Sequence, residues 1–166
     1  MKAYASQILV DTTGKVLRNA VVLSNPATNT LYCADIFDGQ HERANTLFFD
    51  GIISLHTITD NASVFDDSAM VYHFEENELL PDTFRLTEQT VLHICLQRPE
   101  SLSDFIHQNY AVLHPYPIPL LVKSMLLQVV ADVKTANMQT IAFLWQHTHL
   151  THQLLSPETV IRPLGF

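Results

Sequence analysis

Glycine, cysteine and positive charge are all scarce in this chain. Four glycines and eight prolines among 166 residues exclude collagen-like and low-complexity architectures. They also leave no glycine-rich cradle for a nucleotide phosphate. Two cysteines exclude a small domain stapled by disulfides. Nine Lys and Arg face 17 Asp and Glu, a formal net charge of -8. No nucleic acid and no anionic membrane surface is therefore expected as a partner, since both need clustered Lys and Arg. No apolar run approaches the roughly 20 residues of a membrane-crossing helix. The most apolar window, Ile118 to Ala131, is broken by Lys123, Ser124 and Gln128. The first residues, from Met1 to Asp11, hold no apolar stretch of signal-peptide length. The expectation is a soluble, cytoplasmic protein.

What remains is a chain able to fold. Apolar residues make up 47% and charged residues only 16%, the opposite of a disordered composition. The length fits a single domain, 1–166, in two parts. Residues 1–100 hold 14 acidic and 6 basic residues, whereas residues 101–166 hold three of each. All the net negative charge thus lies in the first part, and the last third is apolar and nearly neutral. Cys33 lies between Tyr32 and Ala34, and Cys95 between Ile94 and Leu96; both read as buried free thiols.

Residues 1–98 read as β-rich and antiparallel. Tyr4 to Val10 and Val16 to Leu23 are rich in β-branched residues and flank the loop Asp11-Thr12-Thr13-Gly14-Lys15. A second turn, Asn25 to Asn29, leads to Thr30–Phe37 and completes a meander. Thr46–Phe49 and Ile52–Leu55 flank Asp50-Gly51, a turn or bulge. Ala69–Phe74 and Phe84–Leu96 suggest a later hairpin, with Leu92, Ile94 and Leu96 on a buried face.

Residues 99–166 read as mostly helical. Ser101, with Asp104 three residues on, fits a helix start, and Leu102, Phe105, Ile106, Tyr110 and Leu113 form a helical stripe. The prolines at 115, 117 and 119 predict an extended connector. A longer helix is expected from about Leu120 to Ala136, apolar on more than one face. Residues 137–155 read as a third helix, although Thr140–Trp145 also suits a strand. The expected fold is α+β: a sandwich-like antiparallel part packed on two or three C-terminal helices.

The stretch from Tyr4 to Leu55 resembles the N-terminal composite β-sandwich segment of amidohydrolase-superfamily enzymes of the imidazolonepropionase and cytosine-deaminase kind. The likeness rests on Ala5-Ser6-Gln7-Ile8-Leu9-Val10, the glycine loop, Val16 to Val22, and the apolar run Leu47 to Ser54. It covers about a third of the chain and includes no catalytic residue. In that family the Gly-Ile-Ile strand leads to Pro-Gly and a metal-binding His-x-His pair. Here Ser54 is followed by Leu55-His56-Thr57-Ile58-Thr59-Asp60, with neither. The family's barrel needs about 250 residues, more than the chain holds. The resemblance implies a barrel-less relative to which no active-site residue transfers.

Nine histidines raise a metal hypothesis. His147, His149 and His152 form the densest group, and only His149 and His152, spaced i and i+3, could ligate together on a helix. With an acidic ligand from residues 60–78 they define an alternative reading, a metal-dependent hydrolase. The bland reading places them at the edge of a core. The acidic residues at 60, 66, 67, 75, 76 and 78 lack the spacing of a calcium loop. No nucleophile elbow, phosphate loop or Cys-x-x-Cys occurs. No catalytic, cofactor-binding or metal-ligating residue is assigned. The favoured function is a non-catalytic, self-associating stand-alone domain, expected as a homodimer docked through the Leu120–Ala136 helix. A small-molecule binding module, with a pocket between sheet and helices, is a second alternative.

Overall fold

The computed structural model describes residues 2–25, 30–35, 37–38, 41–42, 46–59, 68–130 and 140–164. Its first element, β1 (Lys2–Val10), is followed by β2 (Val16–Leu17), β3 (Ala20–Asn25) and β4 (Thr30–Asp35). These pair antiparallel, β1 with β2 and β3, and β3 with β4. The expected meander is present; its turn at residues 26–29 lies outside the described residues. Local chemistry makes the first turn. The Asp11 carboxylate accepts the main-chain N–H groups of Thr13 (2.9 Å) and Lys15 (3.1 Å), while Gly14 takes φ 82°, open to glycine at little cost. A Cβ there would meet the Pro119 carbonyl at 2.7 Å.

Two short strands, β5 (Phe37–Asp38) and β6 (His41–Glu42), pair with each other. The central strand is β7 (Thr46–Ile58), one continuous run where two were expected. It pairs parallel with β1 over residues 46–54 and antiparallel with a later strand, β11 (Thr140–Gln146), over 52–57. Thr57 and Ile58 also pair parallel with β10 (Met125–Val129). Because residues 52–54 bind β1 and β11 at once, those two flank β7 on opposite edges; β10 continues the edge that β1 begins. β11 then pairs antiparallel with β12 (Val160–Pro163). Beyond β10 the sheet runs to β9 (Thr90–Leu96) and ends at β8 (Met70–Glu75), both parallel pairings.

The sheet is therefore mixed, and several expectations need correction. Within residues 1–98 antiparallel pairing holds for β1 to β4 and for β5 with β6, and β1 to β4 belong to the one mixed sheet rather than to a sandwich. The expected hairpin of residues 69–74 and 84–96 is a parallel pair, joined by residues 76–89. A 14-residue connection is long enough to carry the chain back for parallel pairing. The described part of residues 99–166 supplies three short helices and three strands of the same sheet. The helices are α1 (Ser101–Gln108), α2 (Tyr110–Leu113) and α3 (Ile118–Ser124). Pro117 caps α3 and Pro119 sits in its first turn, where a missing N–H costs nothing. The expected extended connector is mostly absent: His114 is helical in conformation and turns with Pro115 after α2, Pro117 is extended, and residues 118–119 already belong to α3. The helix expected over 120–136 stops at Ser124 and continues as β10. The helix expected over 137–155 is β11 followed by turns, so of the two readings for Thr140–Trp145 the strand is correct.

A large apolar core lies between α1–α3 and one face of the sheet. It joins Leu102, Phe105, Ile106 and Leu121 to Leu92, Ile94, Leu96 and Leu127, and extends to Trp145. A second cluster, with Tyr4, Leu9, Val22, Ile53 and Leu144, lies on the other face. The β1–β7 register shifts between Ser6 and Ile8, and the alternation of β1 reverses there. Tyr4 and Leu9 face one side, Ile8 and Val10 the other. Gly51 in β7 has φ 141°, and a Cβ would stand 2.3 Å from the Trp145 carbonyl. Only glycine allows β11 to approach here.

Candidate functional site

Three arrangements could carry chemistry, and burial separates them. The first lies on β7, where Ser54 and His56 project two residues apart on one face, toward Trp145 and Phe143 of β11. The Ser54 hydroxyl lies 2.6 Å from His56 Nε2, and the Trp145 indole N–H donates to Ser54 Oγ at 2.6 Å. Serine next to imidazole is the beginning of a nucleophile–base pair. Here, however, Ser54, His56 and Trp145 are all 0% exposed, and His56 packs edge-on against Phe143 with ring centroids 5.3 Å apart. Burial pushes the imidazole pKa down to about 3. The indole can only donate. Ser54 is best satisfied by accepting from Trp145 and donating to His56 Nε2, which leaves the proton on Nδ1. That atom has no hydrogen-bond partner among the described residues. The trio is a sealed structural relay that no substrate can reach.

The second arrangement joins His73 of β8 to His93 of β9. They are register partners, so their side chains leave the same face, and their Nδ1 atoms lie 2.8 Å apart. One ring donates and the other accepts, so this contact needs at least one neutral imidazole. His93 is buried while His73 is exposed. Burial, and then the neighbouring His73, lower the His93 pKa; the Thr59 main chain and Glu75 oppose them. Even so, no hydrogen bond of normal geometry reaches His93 Nε2 among the described residues. Cys95 stands two register positions along, opposite Glu75; burial and that carboxylate raise its thiol pKa, which keeps it unreactive. Burial first, then Asp11, push Cys33 up to about 11. Both thiols are free.

The third is the outer edge of β8. Main-chain groups along a strand point alternately to its two edges. The Met70 N–H reaches the Gln89 carbonyl at 2.8 Å, so Met70, Tyr72 and Phe74 bond toward β9. Val71, His73 and Glu75 therefore point outward. The Glu78 carboxylate takes the Glu75 N–H at 3.1 Å. Val71 and His73 show no outward partner among the described residues. Residue 78 is itself anchored: the buried Asn109 amide donates to the Glu78 carbonyl (3.2 Å) and the Phe105 carbonyl (2.9 Å), and accepts from the Leu80 N–H (2.7 Å). Beside the edge runs a groove of about 510 Å³ lined by Met70, Tyr72, Pro81, Phe84, Arg85 and Thr87. Met70 is 54% and Tyr72 36% exposed. Tyr72 meets Phe84 edge-on at 5.6 Å.

His149 and His152 share no helix. The His149 N–H bonds to Leu154 and the His152 N–H to the His149 carbonyl, which places both in consecutive turns after β11. Among the described residues no group of three His, Cys, Asp or Glu could hold a metal ion. Residues 60, 66 and 67, half of the acidic set offered as a ligand source, lie outside the described residues. No helix among the described residues is long and apolar enough to cross a membrane. Neither the His73–His93 pair nor the β8 edge stood out in the sequence. The one visible signal was Met-Val-Tyr-His-Phe-Glu, a strand run without the lysine or proline that protects sheet edges.

Compared with known proteins, the chain matches no family model, no curated protein and no solved structure.

Proposed function

We propose that this protein is a non-catalytic, self-associating domain. One observation carries the proposal: among the described residues β8 is a terminal strand of the sheet, with main-chain groups at Val71 and His73 that have no partner there and with exposed Met70 and Tyr72 beside a groove. Exposed, unprotected edges are templates for pairing with another chain. The basis for a dimer is thus moved from a helix at 120–136, where the chain instead passes from α3 into β10 at Met125, to a strand edge. The sealed state of Ser54 and His56 supports a non-catalytic role. The same groove could suit a small molecule, but its floor is a strand edge, a shape that accommodates another strand better than a compact ligand. The relation to the amidohydrolase composite segment belongs to this proposal; strands at 2–10, 16–17 and 46–58 are consistent with it. Light scattering across micromolar concentrations tests self-association. A mass of two chains is expected, and the mass of a single chain, 18.8 kDa, at every concentration would refute it.

A further inference from the structure

We infer that the partner at this edge is a second copy of the chain, its β8 paired antiparallel to the first with Tyr72 on the two-fold axis. The inference rests on the self-association proposed above and adds where and in what register the copies meet. The free main-chain groups select the register. In an antiparallel pair, hydrogen-bonded residues exchange both N–H and C=O, so only outward-pointing residues qualify. Centring on Tyr72 sets Val71 opposite His73 of the partner, and His73 opposite the partner's Val71. Those residues carry the unpaired groups, and four hydrogen bonds result. Centring on His73 would instead demand the Glu75 N–H, which Glu78 already holds. A shift the other way would pair His73 with Ala69, outside the strand.

Side chains agree with this register. On the groove face Met70 meets the partner's Phe74, and the two Tyr72 rings flank the axis. The most exposed apolar side chain of β8 is covered by another apolar group. On the opposite face Val71 meets His73. Charge also favours antiparallel self-pairing. Glu75, Glu76 and Glu78 cluster at the C-terminal end of β8; a parallel copy would set these carboxylates against their counterparts, whereas an antiparallel copy holds the two acidic ends apart. A closed two-fold uses each edge once and ends the assembly at two.

Cross-linking reads the register directly. Residues at the axis in a non-hydrogen-bonded pair have Cα atoms about 4.5 Å apart, within disulfide range. In a Cys33→Ser/Cys95→Ser background, Tyr72→Cys should cross-link to a dimer on mild oxidation. His73→Cys should not, because the His73-centred register is closed. In the otherwise native chain, Val71→Pro should weaken association about 10- to 100-fold, through the loss of one N–H bond per copy. The Val71 N–H points away from β9, so proline is tolerated there and circular dichroism should be unchanged. Cross-linking of His73→Cys in place of Tyr72→Cys would overturn the register. A native dimer in which Val71→Pro has no effect and Tyr72→Cys never cross-links would overturn this edge while leaving self-association standing. A native chain that stays monomeric would overturn both.

Discussion

The two wings of the sheet are built by different rules. On one side of the molecule, β1, β2, β3 and β4 follow one another in sequence and pair antiparallel. Their turns are short, and the Asp11–Lys15 turn is specified by its own residues. On the other side, β10, β9 and β8 are parallel, in reverse chain order, with three helices in the β9–β10 connection. The first wing is made by neighbours in sequence; the second is assembled by burial. Parallel strands need crossovers, and those crossovers supply helices to cover a face. Here α1, α2 and α3 cover one face of the β8–β9–β10 wing, and the wing finishes in an open edge. Both wings end in an edge strand, β4 on one side and β8 on the other, but the first is built by local turns and the second by burial.

Removing the packing that builds the second wing should have the largest effect. Phe105 is 0% exposed in the core between α1 and the parallel strands. Phe105→Ala should cost about 3–5 kcal/mol, read by urea unfolding. A cost under about 1 kcal/mol would mean the helices do not hold this wing. The strand shared by both wings comes next. Gly51→Ala combines a φ of 141° with a contact to the Trp145 carbonyl, and should cost roughly 2–4 kcal/mol. It should also loosen the β7–β11 amides in hydrogen exchange before those of β3 and β4.

Acid sharpens the comparison, because the buried histidines lie outside the antiparallel wing. The His56 pKa in the fold, about 3, is below its ordinary 6.5. Between those values the unfolded chain binds a proton that the native chain does not. Stability therefore falls as pH drops below about 6.5, by up to about 1.4 kcal/mol per pH unit. His93, also lowered, acts in the same sense, and full protonation of the His73–His93 pair would set two cations against each other. Unfolding midpoints at pH 7 and pH 5 should differ by about 2 kcal/mol for His56 alone. His56→Gln, though less stable at pH 7, should show a flatter profile; an unchanged slope would place the acid sensitivity elsewhere. The smallest effect belongs to the pair itself. His73→Gln should shift pH-7 stability by less than about 1 kcal/mol, since its partner bond is at an exposed edge, while raising the His93 pKa in NMR titration by removing the neighbouring positive charge.

Much of the first wing was legible because its determinants are local. Asp11, Gly14 and the β-branched runs lie within a few residues of the bonds they specify. The second wing is less legible at definite places. Met125–Val129 reads as helix because a strand buried on both faces shows no alternation, and its apolar run continues that of α3. The segments at 69–74 and 84–96 read as a hairpin because periodicity reports which face is buried and says nothing of strand direction. Of the candidate site, only the strand run Met70–Glu75 could be read. The outward phase of Val71 and His73 depends on β9 occupying the other edge, and the cap on Glu75 depends on Asn109 holding Glu78 from 31 residues away.

By itself the sequence determined the local geometry: the Asp11 turn, the strands of the meander, the first helix from Ser101, and a composition able to bury a core. Those follow from side chains acting on their own stretch of main chain. The tertiary structure alone decided strand direction, the shared role of β7, the sealing of Ser54 and His56, and which edge stays open. Each of these depends on which distant segment takes the neighbouring place, and that is settled by burying apolar surface across the whole chain.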